Sequence, residues 1–208
     1  MNQQIRFCKS FDGTQLAYAM TGAGPPLVRA PHWLTHLEYE WQSPIWKPWI
    51  EALSRSHRLL RMDERGCGLS DRDVADFSFE AWVRDLEAVA DAAGLERFAL
   101  FGHSQGGAIA LHTGLRHGER LAGVMALSTY VPLADTLAAE ASPVNRDLPI
   151  FMAHGTADPM IPFARAQASR DLLLQQSYTL EWHEYRMQHS VCPQEIADIG
   201  AWLGRVLA

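Results

Sequence analysis

Cysteine is scarce in this 208-residue chain: Cys8, Cys67 and Cys192 are an odd number at wide spacing, with no C-x-x-C pair. That excludes a disulfide framework and a thiolate zinc site, so the thiols read as reduced and structural, and no metal is expected. No run of eighteen or more apolar residues occurs, which excludes a membrane-spanning helix. The opening residues MNQQIRFCKSFDG carry no apolar signal-peptide core, so a cytoplasmic protein without a membrane partner is the expectation. Positive charge is in deficit, with 18 Lys and Arg against 24 Asp and Glu and a net charge of −6. Phosphate backbones are held by clustered Lys and Arg, so nucleic acid is not an expected partner. Repeats and low-complexity tracts are missing too. What is present is 48% hydrophobic and 20% charged residues, enough for one sizeable core and a single domain over residues 1–208.

Short β-type runs alternate with longer amphipathic ones, the pattern of an α/β protein with a mostly parallel sheet and helices on both faces. Strands are expected at residues 5–9 and 15–21, joined by a turn at Asp12-Gly13. Further strands are expected at 27–30, 58–62, 98–101, 121–127, 149–153 and 178–184. Helices are expected at 44–56, 79–93 with Gly94 as its stop signal, 105–117, 163–176 and 193–207. Residues 131–148 are the one longer loop, too short for a cap domain.

Gly102-His103-Ser104-Gln105-Gly106 fits G-x-S-x-G. Such a turn must reverse a strand into a helix within a very tight, strained backbone, which is why small residues flank the serine. An apolar strand precedes this one and an amphipathic helix follows, so the context matches the motif. A serine nucleophile needs a base to take its proton and an acid to hold that base, and in this fold they follow in the order Ser, Asp or Glu, His. Asp158, in His154-Gly155-Thr156-Ala157-Asp158-Pro159, and His189, in Tyr185-Arg186-Met187-Gln188-His189-Ser190, each stand just past an expected strand end. Alone, Asp158 reads as an Asx turn before Pro159 and His189 as a surface residue. Order and strand-end placement together make them the acid and the base of Ser104. His103 is expected to face away from the serine, and His154 to lie too close to its strand, so neither is the base.

Backbone N–H groups of Gln105 and of Trp33, in the loop after the third strand, are the candidate oxyanion donors. Trp33 could instead only line the pocket. Asp63-Glu64-Arg65-Gly66-Cys67-Gly68-Leu69-Ser70 reads as a loop that knits strand ends through hydrogen bonds, and Trp33, Trp41, Trp46 and Trp49 read mainly as packing. The chemistry requires no cofactor. The expected partner is a small-molecule ester, and oligomeric state is left open.

Residues 63–71 resemble the D-x-R-G-x-G-x-S loop of the α/β-hydrolase family, and residues 100–107 resemble its nucleophile elbow. Up to the elbow the chain resembles hydrolase-fold domains that accompany bacterial regulators and cyclases. From Gly102 onward it resembles the small carboxylesterase and acyl-protein thioesterase group, through Ala126-Leu127-Ser128-Thr129-Tyr130, His154-Gly155 with Asp158, and Met187-Gln188-His189-Ser190. The resemblance implies an α/β-hydrolase fold and Ser104, Asp158 and His189 as the triad of a serine esterase; the short connection at residues 131–148, with no cap domain to close over Ser104, adds the expectation of short-chain esters. A thioesterase, or a non-catalytic ligand-binding or regulatory domain, are the alternatives. Two departures bear on substrate geometry: Gln188 stands where a glycine usually precedes the histidine, and the oxyanion loop has His32 after Pro31 in place of the common His-Gly pair. The change of likeness at the elbow raises the expectation of a gene joined from two hydrolases.

Overall fold

The computed structural model describes residues 2–208, which form two compact units, one ending at Phe98 and the other spanning Ala99–Ala208. The first holds strands β1 (Gln4–Lys9), β2 (Gln15–Thr21), β3 (Pro26–Arg29) and β4 (Arg58–Met62) in the lateral order β1-β2-β4-β3. β1 and β2 form the expected hairpin, with Ile5 opposite Ala19 and the turn carried by Gly13 at φ +88°. β2 pairs antiparallel with β4, and β3 runs parallel to β4. Leu16, Ala17, Ala19, Leu27, Leu59 and Leu60 are buried, which is where the apolar positions of these strands go.

Three helices accompany these strands: α1 (Leu37–Gln42), α2 (Trp46–Ser54) and α3 (Phe79–Ala92). α3 begins on Ser78, whose hydroxyl accepts from Ala81 N at 3.2 Å, and ends before Gly94 at φ +66°. On it Val83, Leu86, Val89 and Ala90 are buried as expected, whereas Trp82 is only half-buried. Asp85 is buried in its stead, held by the Nε and Nη2 edge of the Arg65 guanidinium at 2.7 and 2.6 Å.

α1 falls in a stretch where the sequence gives no helix. It has six residues and no local capping side chain; its first N–H, on Leu37, is capped at 2.8 Å by Asp63 Oδ1 from the loop after β4. Asp63 Oδ2 meanwhile accepts from Leu69 N at 2.8 Å, and Ser70 Oγ donates to Asp63 O at 2.8 Å. Residues 63–70 thus knit strand ends together, as their composition suggested.

The second unit has strands β5 (Ala99–His103), β6 (Gly123–Leu127), β7 (Ile150–Gly155) and β8 (Leu180–Tyr185), all parallel and in chain order. Gly102, Ala126, Met152 and Trp182 lie in one row across them. β6 and β7 are buried at every position, as expected of parallel strands covered on both faces. Helices α4 (Gln105–Arg116), α5 (Leu137–Glu140), α6 (Phe163–Gln175) and α7 (Pro193–Val206) make the connections and the C-terminal closure. Because the strands are parallel, the chain leaves β5, β7 and β8 at the same edge.

Two expectations are corrected here. Residues 131–148 are not a plain loop: 3₁₀ turns Ala134–Thr136 and Pro143–Asn145 flank α5. β6 starts at Gly123 rather than at residue 121, because Leu121 N donates to Asn145 Oδ1 at 3.0 Å instead of to a neighbouring strand. Buried Asn145 also donates to the carbonyls of His117 and Glu119, so one amide ties the connection down from three sides. Among the described residues no helix is long and apolar enough to cross a membrane.

Candidate active site

β5 runs straight into α4 through a single residue, Ser104, at φ +56° and ψ −121°. A non-glycine residue in that region carries about 1–3 kcal/mol of strain, which persists only where the surroundings over-determine it. Here they do. Ser104 N donates to Leu127 O at 2.9 Å, while Ser104 O accepts from Ala108 N at 3.1 Å and from Thr129 Oγ1 at 2.8 Å. The reversal also needs Gly102 to lack a side chain, since a Cβ there would stand 2.1 Å from the Gly106 carbonyl carbon. Gln105 opens α4, where helix geometry aims the first N–H groups out of the helix start.

Asp158 lies in the turn that follows β7, and its side chain is fully buried. Its Oδ1 accepts from Met160 N at 2.8 Å and Ile161 N at 3.0 Å, and its Oδ2 is 2.7 Å from His189 Nδ1. Burial works to raise this carboxyl, but the N–H groups of Ile161 and Met160 and the ring of His189 outweigh it and hold the group below the usual carboxylate range. A carboxylate so placed can only accept, so it fixes His189 with its proton on Nδ1 and leaves Nε2 unprotonated in the neutral ring.

The loops that carry Asp158 and His189 are joined through their backbones. Thr156 N donates to Tyr185 O at 2.8 Å and Ala157 N to Met187 O at 3.1 Å. The approach depends on Gly155, where a Cβ would meet the carbonyl oxygens of Gln188 at 2.4 Å and Met187 at 2.5 Å. Gln188 itself needs no glycine conformation, because its φ is not positive, and its side chain is exposed. The departure before His189 therefore costs the backbone nothing.

The ring of His103 lies against that of His189, centroids 4.7 Å apart. His189 thus stands beside the residue that precedes Ser104. His154, near the end of β7, is buried; its Nε2 is 2.9 Å from Ile161 O and 3.4 Å from Asp158 Oδ2, so it lies against Asp158. Neither contact has a local sequence signal.

Trp33 belongs to the first unit and is 71% exposed. Its carbonyl accepts from His32 Nδ1 at 2.8 Å, and His32 stacks on Trp46 and reaches Glu40 at 3.2 Å. Buried Glu40 also pairs with Arg29 and, at 2.9 Å, with Arg61. Despite its burial, Glu40 is held far below the usual carboxylate range by these cations, Arg29 foremost. His32, which breaks the common loop pattern, therefore serves to brace the loop. Among the described residues no group of three or more His, Cys, Asp or Glu could hold a metal ion.

A family model described as phospholipase/carboxylesterase matches residues 49–207. An acyl-protein thioesterase 1 of Mycosarcoma maydis is 43% identical over 117 residues, covering 54% of this chain and 49% of that protein. That of Neurospora crassa is 35% identical over 160 residues, covering 74% of this chain and 62% of its own length. The chain thus spans roughly half to three-fifths of the curated relatives it matches. An esterase of Pyrococcus furiosus superposes with a TM-score of 0.78 over 100% of this chain and 94% of its own, at 15% identity. A hydrolase of Pseudomonas aeruginosa gives 0.73 over 99% of both chains, at 19% identity. The fold is that of the α/β-hydrolases, and the chain belongs to their phospholipase/carboxylesterase family.

Proposed function

We propose that the chain is a serine esterase that cleaves short-chain carboxylic esters through an acyl-enzyme, with Ser104 as nucleophile, His189 as general base and Asp158 as the orienting acid. The observation that carries this reading is the 2.7 Å contact of His189 Nδ1 with buried Asp158, made beside the strained turn of Ser104. Ser104 Oγ attacks the ester carbonyl as its proton passes to His189 Nε2. The tetrahedral oxyanion then collapses, the C–O bond breaks, and the alcohol leaves with that proton. Water repeats the sequence on the acyl-enzyme. The N–H groups of Gln105 and Trp33 are the proposed oxyanion donors, a small-molecule ester is the proposed partner, and the proposed location is cytoplasmic.

Thioester hydrolysis uses the same machinery, and the acyl-protein thioesterases among the relatives favour it as a second reading. Paired assays on an ester and a thioester of the same acyl group decide between them. Incubation with a fluorophosphonate probe is expected to label the protein once, with the adduct mapped by mass spectrometry to Ser104. An unlabelled, folded protein would support the non-catalytic alternative instead.

Acyl length follows from the connection between β6 and β7, which holds only short helical turns and no cap domain. Each methylene left in water forgoes about 0.8 kcal/mol of burial. A p-nitrophenyl ester series is therefore expected to give its highest kcat/KM at short acyl chains, with no jump in rate above the solubility limit. A maximum at long chains would overturn this. A gene joined from two hydrolases near the elbow is proposed separately, and natural full-length relatives collinear with the whole chain would rule it out.

A further inference from the structure

His154 has no part in the chemistry proposed above, yet it is buried against the acid: its side chain is 1% exposed and that of Asp158 0%. The partner at 2.9 Å from its Nε2 is a main-chain carbonyl, that of Ile161, which can only accept. The ring proton is thereby assigned to Nε2. The same nitrogen stands 3.4 Å from Asp158 Oδ2, the oxygen that faces His189, while Nδ1 is buried without a hydrogen-bond partner among the described residues.

The peptide of Ile161 is held at both ends. Its N–H donates to Asp158 Oδ1 and its C=O accepts from His154. A closed ring of contacts results: His154 anchors Ile161, Ile161 anchors one carboxylate oxygen, and the His154 N–H edge lies near the other. Phe163, with its ring centroid 6.1 Å away, backs the imidazole.

We infer that His154 is a positioning residue for the triad acid. Through Ile161 and through its own N–H it sets the rotation of the Asp158 carboxylate, so that Oδ2 meets His189 in line. This rests on the serine-hydrolase reading above. A hydrophobic residue at 154 would fill the space but leave Ile161 O without a donor and one side of the carboxylate unrestrained.

The test compares His154→Gln, His154→Asn and His154→Leu, each checked for folding by circular dichroism. Gln can carry an amide N–H close to the position of Nε2, and Asn, one methylene shorter, cannot reach it. With Ile161 O left without this donor and the carboxylate less restrained, Asn and Leu are expected to lower kcat by about ten- to a hundredfold. KM should stay within about threefold and fluorophosphonate labelling of Ser104 should slow in proportion to kcat, since only the proton-transfer geometry is disturbed. Gln is expected to recover most of the loss. Equal losses in Gln and Asn, or an Asn variant with native kcat, would overturn the inference, and this comparison stands even if the Leu variant fails to fold. Failure of the parent protein to label at Ser104 would overturn the serine-hydrolase reading itself. A labelled parent with labelled, equally fast variants would overturn only the role of His154.

Discussion

Replacing Asp158 by Asn is expected to lower kcat about ten-thousandfold with the fold retained, as in other triads where the wrong histidine tautomer is stabilised. The surroundings dictate which way the amide must sit. Met160 N and Ile161 N both donate to Oδ1, so the oxygen of an Asn side chain is required there. The NH₂ is left facing His189, where Oδ2 now stands 2.7 Å from Nδ1. A donor in that place forces Nδ1 to accept, moves the ring proton to Nε2 and leaves no acceptor for the proton of Ser104. The flipped amide escapes this only by setting its NH₂ against two backbone N–H groups. Steady-state kinetics on a p-nitrophenyl ester would measure the loss, and one below about tenfold would assign the acid's role to another residue.

Replacing Glu195 by Gln is expected to stabilise the protein at about pH 8 and to do little at about pH 4. Glu195 sits in the first turn of α7, buried, and burial pushes its carboxyl up from 4.5 to about 7; the Cys192 N–H pulls it down and Asp198 adds to the rise. Asp198 in turn accepts from Tyr185 Oη at 2.8 Å, so its charge is held in place nearby. With the folded-state value above the unfolded one, both states hold the proton at low pH. Between 4.5 and about 7 only the unfolded state releases it, so stability falls through that window and is level above it. At about 1.4 kcal/mol per unit, the deficit at high pH is on the order of 3 to 4 kcal/mol. Gln keeps the size of the side chain and removes the ionisation. Urea unfolding of both proteins across this range reads the difference, and a constant offset at all pH values would show that Glu195 is not the group responsible.

The nucleophile, acid and base candidates were legible in the sequence because each hangs on a local pattern: a G-x-S-x-G elbow for Ser104, a strand end followed by a tight turn for Asp158 and His189. The alternation of strands and helices was legible for the same reason, since apolar spacing is a local property. What the sequence does not signal depends on partners distant along the chain. α1 is capped by Asp63, 26 residues on, and Glu40 is buried because Arg29 and Arg61 reach it from two strands. The facing of His103 on His189, and of His154 on Ile161, likewise follows from tertiary placement that no spacing rule contains. The start of β6 slipped by two residues because an Asn amide, rather than a neighbouring strand, takes the Leu121 N–H.

The main-chain bonds from Thr156 and Ala157 to Tyr185 and Met187 carry a consequence for how this site can diverge. Peptide groups make that seam, so side chains at 186 and 188, both exposed, are free of it. A population of genes can exchange charge, size and polarity there without disturbing the proposed proton relay. Specificity can then drift by single substitutions while turnover is conserved, whereas Gly155, which lets the seam close, has almost no permitted alternative.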